Sequence, residues 1–334
     1  MYSDDKSGDL NSPHSLGRYR KKGLVTTNDI RRFVGIPTFL RVPLLGNVEK
    51  PKFGIVGVPY DGGVARTPGT RFGPRGIRNA CWRSPEYHEG LDVALSEQAS
   101  VVDCGDMLIS PMLVSDALTT IDNEISDLLA QGITPVSVGG DHGITYPILH
   151  AMNRVYGKVA IVHFDAHSDT LEGGYTHGTM FRLAVEEGLI HADKFIQVGI
   201  RKTYSRTDFD FQKKHGIQVI SVEQMQQLGV AGLTEQFNRL KGYKVYVTFD
   251  MDFIDQAYAP GTGSPEPCGP TSAEALACFG ALKGLDIIGF DLAEVSPPYD
   301  VRDMTCYLAN LILFEMVALL IANTNSVEVT SNQK

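Results

Sequence analysis

From residue 53 onward, short apolar runs alternate with longer stretches of helical spacing. Phe53–Val58, Thr134–Val138, Val159–Phe164, Phe195–Gly199, Gln218–Ser221, Lys244–Phe249 and Asp286–Phe290 read as strands. Val101-Val102 opens another, which ends at Asp103-Cys104-Gly105-Asp106. Over Ser115–Gln131, Leu118, Ile121, Ile125, Leu128 and Leu129 recur at helical spacing, and Gly132 supplies a stop. Helices are also predicted over Ile144–Tyr156, Thr271–Leu282 and Ala309–Ala322. Several strands are apolar at successive positions without alternation, which marks burial on both faces. The expectation is an α/β chain: a single three-layer α/β/α domain over residues 36–334, built on a central, mostly parallel sheet. Residues 1–35 read as a polar extension. Its basic cluster, Arg18, Arg20, Lys21 and Lys22, suits a solvated arm or an arm lying on a neighbouring subunit.

Composition narrows the classes. A net charge of −9 and no basic stripe argue against a nucleic-acid partner. The longest apolar runs read as too short to cross a membrane, and Met1–Pro13 lacks the apolar core of a secretory signal, so a cytoplasmic protein is expected. The five cysteines (Cys81, Cys104, Cys268, Cys278 and Cys306) have no paired spacing, which predicts reduced thiols rather than a disulfide framework or a zinc–thiolate site.

Three of the predicted strands run into acids and histidines. These are Gly139-Gly140-Asp141-His142, His163-Phe164-Asp165-Ala166-His167-Ser168-Asp169, and Phe249-Asp250-Met251-Asp252. Functional groups of open α/β sheets gather at such carboxyl ends. In extended chain Asp165, His167 and Asp169 face one way, as do Asp250 and Asp252. If the strands are neighbours and His142 joins them, four carboxylates and two imidazoles converge. Such a set resists burial unless cations sit among its members. Two divalent ions would balance the four aspartates, and carboxylate with imidazole suits first-row metals. His163 shares the parity of Asp165, which leaves it as a ligand, a support or a substrate contact.

These three segments together resemble the signature of the arginase/agmatinase family, the ureohydrolases. The likeness runs from about residue 52 to residue 322 and takes in Pro68-Gly69-Thr70-Arg71-Phe72-Gly73, Ala259-Pro260-Gly261-Thr262-Gly263 and Glu294-Val295-Ser296-Pro297. The resemblance implies an arginase-like fold and hydrolysis of a cationic guanidino compound to urea and an amine. It implies two divalent ions, usually manganese, with nickel the alternative. One would be held by His142, Asp165, Asp169 and Asp250, the other by Asp165, His167, Asp250 and Asp252. His177, in Thr176-His177-Gly178-Thr179, matches the proton-carrying histidine, and Glu294 matches the carboxylate that meets the guanidinium. The resemblance also implies a homo-oligomer, a trimer or hexamer, with a mixed oligomer containing a second kind of subunit as the alternative. The loop Leu171–Thr176 lacks the Asn and Ser of arginases, which argues against arginine as substrate. Agmatine is the favoured reading, with Glu172 receiving its ammonium and His163 as a further substrate contact. Guanidinobutyrate, guanidine and alkylguanidines are the alternatives.

Overall fold

The computed structural model of the chain describes residues 35–331 apart from 65, 96–99, 111–112 and 204, with side chains as far as Thr324. The expected extension, residues 1–35 with its basic cluster, lies outside the described residues except for Gly35.

In chain order the strands are β1 (Phe53–Val58), β2 (Tyr87–His88), β3 (Val93–Ala94), β4 (Val101–Asp106), β5 (Thr134–Gly139), β6 (Val159–Phe164), β7 (Ile190–Val198), β8 (Gln218–Ile220), β9 (Lys244–Asp250) and β10 (Asp286–Ala293). The helices are α1 (Gly73–Ala80), α2 (Val114–Ala130), α3 (Thr145–Tyr156), α4 (Met180–Glu186), α5 (Arg206–His215), α6 (Val222–Phe237), α7 (Ser272–Cys278) and α8 (Met304–Ser331). Eight strands form one sheet in the order β4-β1-β5-β10-β9-β6-β7-β8, and every pairing in it is parallel. β2 and β3 form a separate antiparallel pair.

Side chains of each strand divide between two apolar layers, as the period of two requires. Phe53 and Ile55 of β1 join one layer, with Ile77, Met225, Phe237 and Ala275 of α1, α6 and α7 and with α8. Val56 and Val58 face the other, with Ile121, Ile148, Phe181 and Phe211 of α2 to α5. The architecture is therefore the expected three-layer α/β/α arrangement.

The last helix is longer than its apolar centre suggested. Its segment Met304–Thr324 is long and apolar enough to cross a membrane, but 78% of its apolar window is buried inside the protein. A helix apolar on all sides is what a covered core position requires. Three cysteines are buried, Cys104 is half-buried and Cys268 is exposed; all five are free.

The segment just before β1 belongs to the core. Phe39 and Leu40 are fully buried, and the Phe39 amide donates to Asp103 Oδ2 at 2.8 Å. Arg78 of α1 closes this corner: its guanidinium donates to both oxygens of Asp103 at 2.9 Å, reaches Asp106, and covers the Phe39 ring at 3.8 Å.

Candidate active site

The four central strands, β5, β10, β9 and β6, end side by side. This strand order brings together segments that are far apart in sequence. Ala293 at the end of β10 pairs with Asp250 at the end of β9, and Phe164 pairs with Phe249, so Asp165 emerges beside Asp250.

His142, Asp165, His167, Asp169, Asp250 and Asp252 meet at these ends, all buried. His142 Nδ1 lies 3.0 Å from Asp165 Oδ2, 3.1 Å from Asp169 Oδ2 and 3.2 Å from Asp250 Oδ2. His167 Nδ1 lies 3.0 Å from Asp252 Oδ2 and 3.5 Å from Asp165 Oδ1. The convergence does not come from the extended alternation that the sequence suggested. Asp165 Oδ1 accepts from the His167 amide at 2.6 Å, which turns the chain immediately, and Asp169 has a left-handed φ of 51°. Asp252 likewise arrives on a 3-10 turn whose amide donates to Asp250 Oδ1 at 2.8 Å. Asp208 of α5 fastens the turn after β6, accepting from the hydroxyls of Ser168 (2.7 Å) and Thr170. Gly140 has no room for a side chain, since a Cβ there would sit 2.1 Å from the Tyr60 carbonyl oxygen.

The outer nitrogens of both imidazoles are engaged. His142 Nε2 meets Thr248 Oγ1 at 2.7 Å, and the Thr248 hydroxyl donates to Asp291 Oδ1 at 2.7 Å. His167 Nε2 meets Glu266 Oε1 at 3.3 Å. Each ring thus donates outward and turns the Nδ1 lone pair inward, the usual way a protein orients a ligating histidine.

A cluster of this charge cannot stay fully ionised alone. Burial and the neighbouring acids push Asp250 well above the usual carboxylate range and Asp252 up to about 6. Burial works against a proton on His142, yet the three carboxylates around it outweigh this and raise its pKa well above the ordinary value. The ligand atoms form two groups tight enough to hold an ion, one including His142, Asp165 and Asp169, the other Asp165, His167 and Asp252. His142 Nδ1 has no hydrogen-bond partner among the described residues although three carboxylate oxygens surround it. Carboxylate and imidazole donors around an inward lone pair fit divalent metal ions.

His163 lies close enough to His142, Asp165 and Asp169 to share an ion with them but faces away from the cavity. It is fully buried against Phe181 and Phe195 and does not border the cavity. Gln197 Nε2, which also donates to the Ser168 carbonyl at 2.6 Å, donates to His163 Nδ1 at 3.0 Å. The proton is then on Nε2, which donates to Asp165 Oδ2 at 2.7 Å. An N–H is not a metal ligand, so His163 supports Asp165, and the expected substrate contact is corrected to that role. The expectation for Glu172 is also corrected: its side chain is exposed and outside the cavity lining, although Leu171 and Thr176 of the same loop do line it. The loop is short and its middle turns to solvent.

The ligand cluster opens into a cavity of about 690 Å³ that His177 and Glu294 also line. Glu294 follows β10 with a left-handed φ of 63° and is 1% exposed. Its Oε1 accepts from the His142 amide and from His177 Nδ1, each at 2.9 Å. Its Oε2 is buried with no hydrogen-bond partner among the described residues. A buried acceptor left this way is open to a donor from a ligand. Gly263 leaves room for one, since a Cβ there would lie 3.1 Å from Oε2. Burial disfavours charge on His177, but the Glu294 carboxylate more than compensates and raises its pKa to about 9. Asp141, quoted in the first motif but given no role, accepts from the Gly63 amide at 2.7 Å, and the Gly63 carbonyl accepts from the His177 amide at 3.1 Å. No spacing signalled Glu266 or Thr248; only the folded chain brings them to the ligands.

A family model described as the arginase family matches residues 51–318. The chain belongs to the arginase family. Members are binuclear-metal dependent, and the two His/Asp groups here accord with that. The chain is 41% identical over 299 residues to a guanidinopropionase of Pseudomonas aeruginosa, covering 87% of this chain and 94% of that one. It is 37% identical to a mitochondrial agmatinase of Gallus gallus, covering 87% of each. The solved proclavaminate amidino hydrolase of Streptomyces clavuligerus superposes with a TM-score of 0.82 at 35% identity, covering 87% of this chain and 99% of that one. Like these arginase-family relatives, the chain is a hydrolase of amidino C–N bonds that acts on a guanidino compound.

Proposed function

We propose that the chain splits its guanidino substrate into urea and an amine with the guanidinium seated on Glu294 and two divalent ions among the aspartates. The observation that carries this reading is Glu294 Oε2, a buried carboxylate oxygen without a partner among the described residues, on a residue that lines the same cavity as His167, Asp169, Asp250 and Asp252 of the cluster. One ion would be held by His142, Asp165, Asp169 and Asp250, the other by Asp165, His167, Asp250 and Asp252. When bound, such ions would supply Lewis acidity and would lower the pKa of a water to about 7. Manganese is the proposed metal, with nickel accepting the same donors.

The chain's own residues do the rest. Glu294 orients the planar cation through a charge-assisted hydrogen bond. Its position fixes the guanidinium carbon relative to the ligand cluster, and holding the reacting groups together removes much of the entropic barrier. His177 keeps one proton on Nδ1 against Glu294 Oε1. With a pKa near 9 it carries a second proton, on Nε2, at neutral pH, and this is the proton a departing amine takes.

The test is urea release from a panel of guanidino compounds, by protein loaded with manganese or with nickel. His177→Asn should lower turnover by about 10²–10⁴-fold while metal content stays unchanged. No urea from any guanidino compound with either metal would overturn the reading.

A further inference from the structure

The cavity is larger than a guanidinium requires, and its charges select what else the substrate carries. Among the described lining residues, Asp169, Asp250 and Asp252 belong to the ligand cluster, and Glu294 serves the guanidinium and His177. Glu266, the remaining acid, is bound to Lys202 at 2.6 Å and to His167 Nε2 at 3.3 Å. Every lining carboxylate is therefore committed. Arg66 is the one charged side chain of the described lining without such a partner: it is exposed at the cavity, and no acidic side chain among the described residues lies at ion-pair distance from it.

Arg66 lies between two anchored glycines, Gly63 and Gly69. Its loop is anchored on one side by Asp141, which accepts from the Gly63 amide at 2.7 Å, and on the other by Asp61, which accepts from the Gly69 amide at 2.8 Å. The first anchor is the one that also carries the His177 backbone, through the Gly63 carbonyl. The backbone that precedes Arg66 and the backbone of His177 are thus tied together at Gly63.

We propose that Arg66 receives the carboxylate of an ω-guanidino acid, so that the substrate is bound as a zwitterion with its guanidinium on Glu294 and its carboxylate on Arg66. This inference rests on the hydrolytic reading given above and names its substrate class. A substrate with a cationic tail, such as agmatine, would bring an ammonium to Arg66 with no uncommitted lining carboxylate to balance it; repulsion of this kind is how a site rejects a near analogue. A neutral alkylguanidine would leave Arg66 unused. The relatives' names include both a guanidino acid and an amine substrate, so the lining charge is what decides.

The experiment measures kcat and KM for 3-guanidinopropionate, 4-guanidinobutyrate, agmatine and ethylguanidine on metal-loaded wild type, Arg66→Ala and Arg66→Glu. Wild type should prefer an acid. Arg66→Ala should raise KM for that acid about tenfold, the modest effect of a solvent-screened contact, and change ethylguanidine by no more than about twofold. Arg66→Glu should move the preference toward agmatine. Thermal melting should be unchanged, because the side chain is exposed. Urea release from agmatine or ethylguanidine with no preference for either acid, or an equal effect of Arg66→Ala on all four compounds, overturns the inference and leaves the hydrolytic reading standing. No urea from any compound strikes the hydrolytic reading itself.

Discussion

Thr248→Val is a near-isosteric change that removes one oxygen from the middle of the sheet. In the native protein His142 Nε2 donates to Thr248 Oγ1 at 2.7 Å, and both residues are fully buried. The valine leaves this N–H without an acceptor, at a cost of about 1–3 kcal/mol. At about 1.4 kcal/mol per factor of ten, the ion that His142 helps to hold should bind roughly 5–150-fold more weakly, the range typical for loss of a ligand's outer partner. Asp291 loses the Thr248 hydroxyl but keeps those of Thr145 at 2.9 Å and Tyr246 at 2.7 Å, so the sheet should hold. Metal affinity would be read by competition with a chelator and stoichiometry by elemental analysis. One ion should weaken and the other change by less than about threefold, with Thr248→Ser restoring the first. Unchanged affinity for both ions in a folded Thr248→Val protein, or parallel loss of both, would refute the reasoning.

Glu294→Gln should raise KM about 10–100-fold through the lost charge-assisted contact. It should also move the pH profile: the Glu294 carboxylate raises His177 to about 9, activity needing protonated His177 falls as pH rises through that value, and without the carboxylate the fall should come at lower pH. A profile that does not move would show that His177 titration does not set the alkaline limb. Gly263→Ala should narrow the guanidinium seat, because its Cβ would stand 3.1 Å from Glu294 Oε2; a several-fold rise in KM with unchanged metal content is expected, and unaltered kinetics would place the seat elsewhere. Arg78→Ala should lower unfolding free energy by about 3–5 kcal/mol in urea titrations, because Asp103, 1% exposed, loses its cation; a change under about 0.5 kcal/mol would mean water replaces the pair.

Much of this molecule was readable from its pattern of apolar positions. Strands β1, β5, β6 and β9 fall where uninterrupted β-branched and aromatic runs placed them, because a parallel sheet covered on both faces permits little else. β10 runs on to Ala293, past the expected end at Phe290. Its continuation contains Asp291, a buried acid that reads as a loop residue until Thr145, Tyr246 and Thr248 supply three hydroxyl donors from other elements. The capping box Thr271–Glu274 starts α7 where the sequence suggested, but a 3-10 turn takes over at Phe279. Helices α1, α4, α5 and α6 have no counterpart among the predicted ones; α1 and α4 span only about two turns, α5 is largely polar, and α6 is interrupted at Gly229, with φ 59°. At the site, the six clustered residues lay in recognisable segments, while their orientation depended on turns at Asp165–Asp169 and Asp250–Asp252 that period-two alternation does not describe. Glu172 and His163 show the other limit. Residue type alone does not tell a charge at a loop tip from one in a cavity, or a histidine facing a ligand site from one braced behind it.

The strand order explains why Glu294, the proposed guanidinium seat, and the His/Asp cluster form one site. β10 lies between β5, which leads to His142, and β9, which ends in Asp250. Neighbouring strands stand about 4.8 Å apart, so a side chain leaving β10 is within reach of both. A residue continuing straight from the strand would instead point up into solvent. Glu294 avoids this by adopting a left-handed φ of 63°, a conformation that costs a non-glycine residue on the order of 1 kcal/mol or more. The bend is held by the Glu294 amide, which donates to the Gly140 carbonyl at 2.9 Å, and by a bridge between Val295 and Thr262. It lays the carboxylate across the end of β5, where Oε1 binds the His142 amide and Oε2 stays available. The same backbone strain therefore fixes the turn that carries His142 and aims the oxygen proposed to meet the guanidinium, so a change that relaxes Glu294 should disturb substrate and metal together.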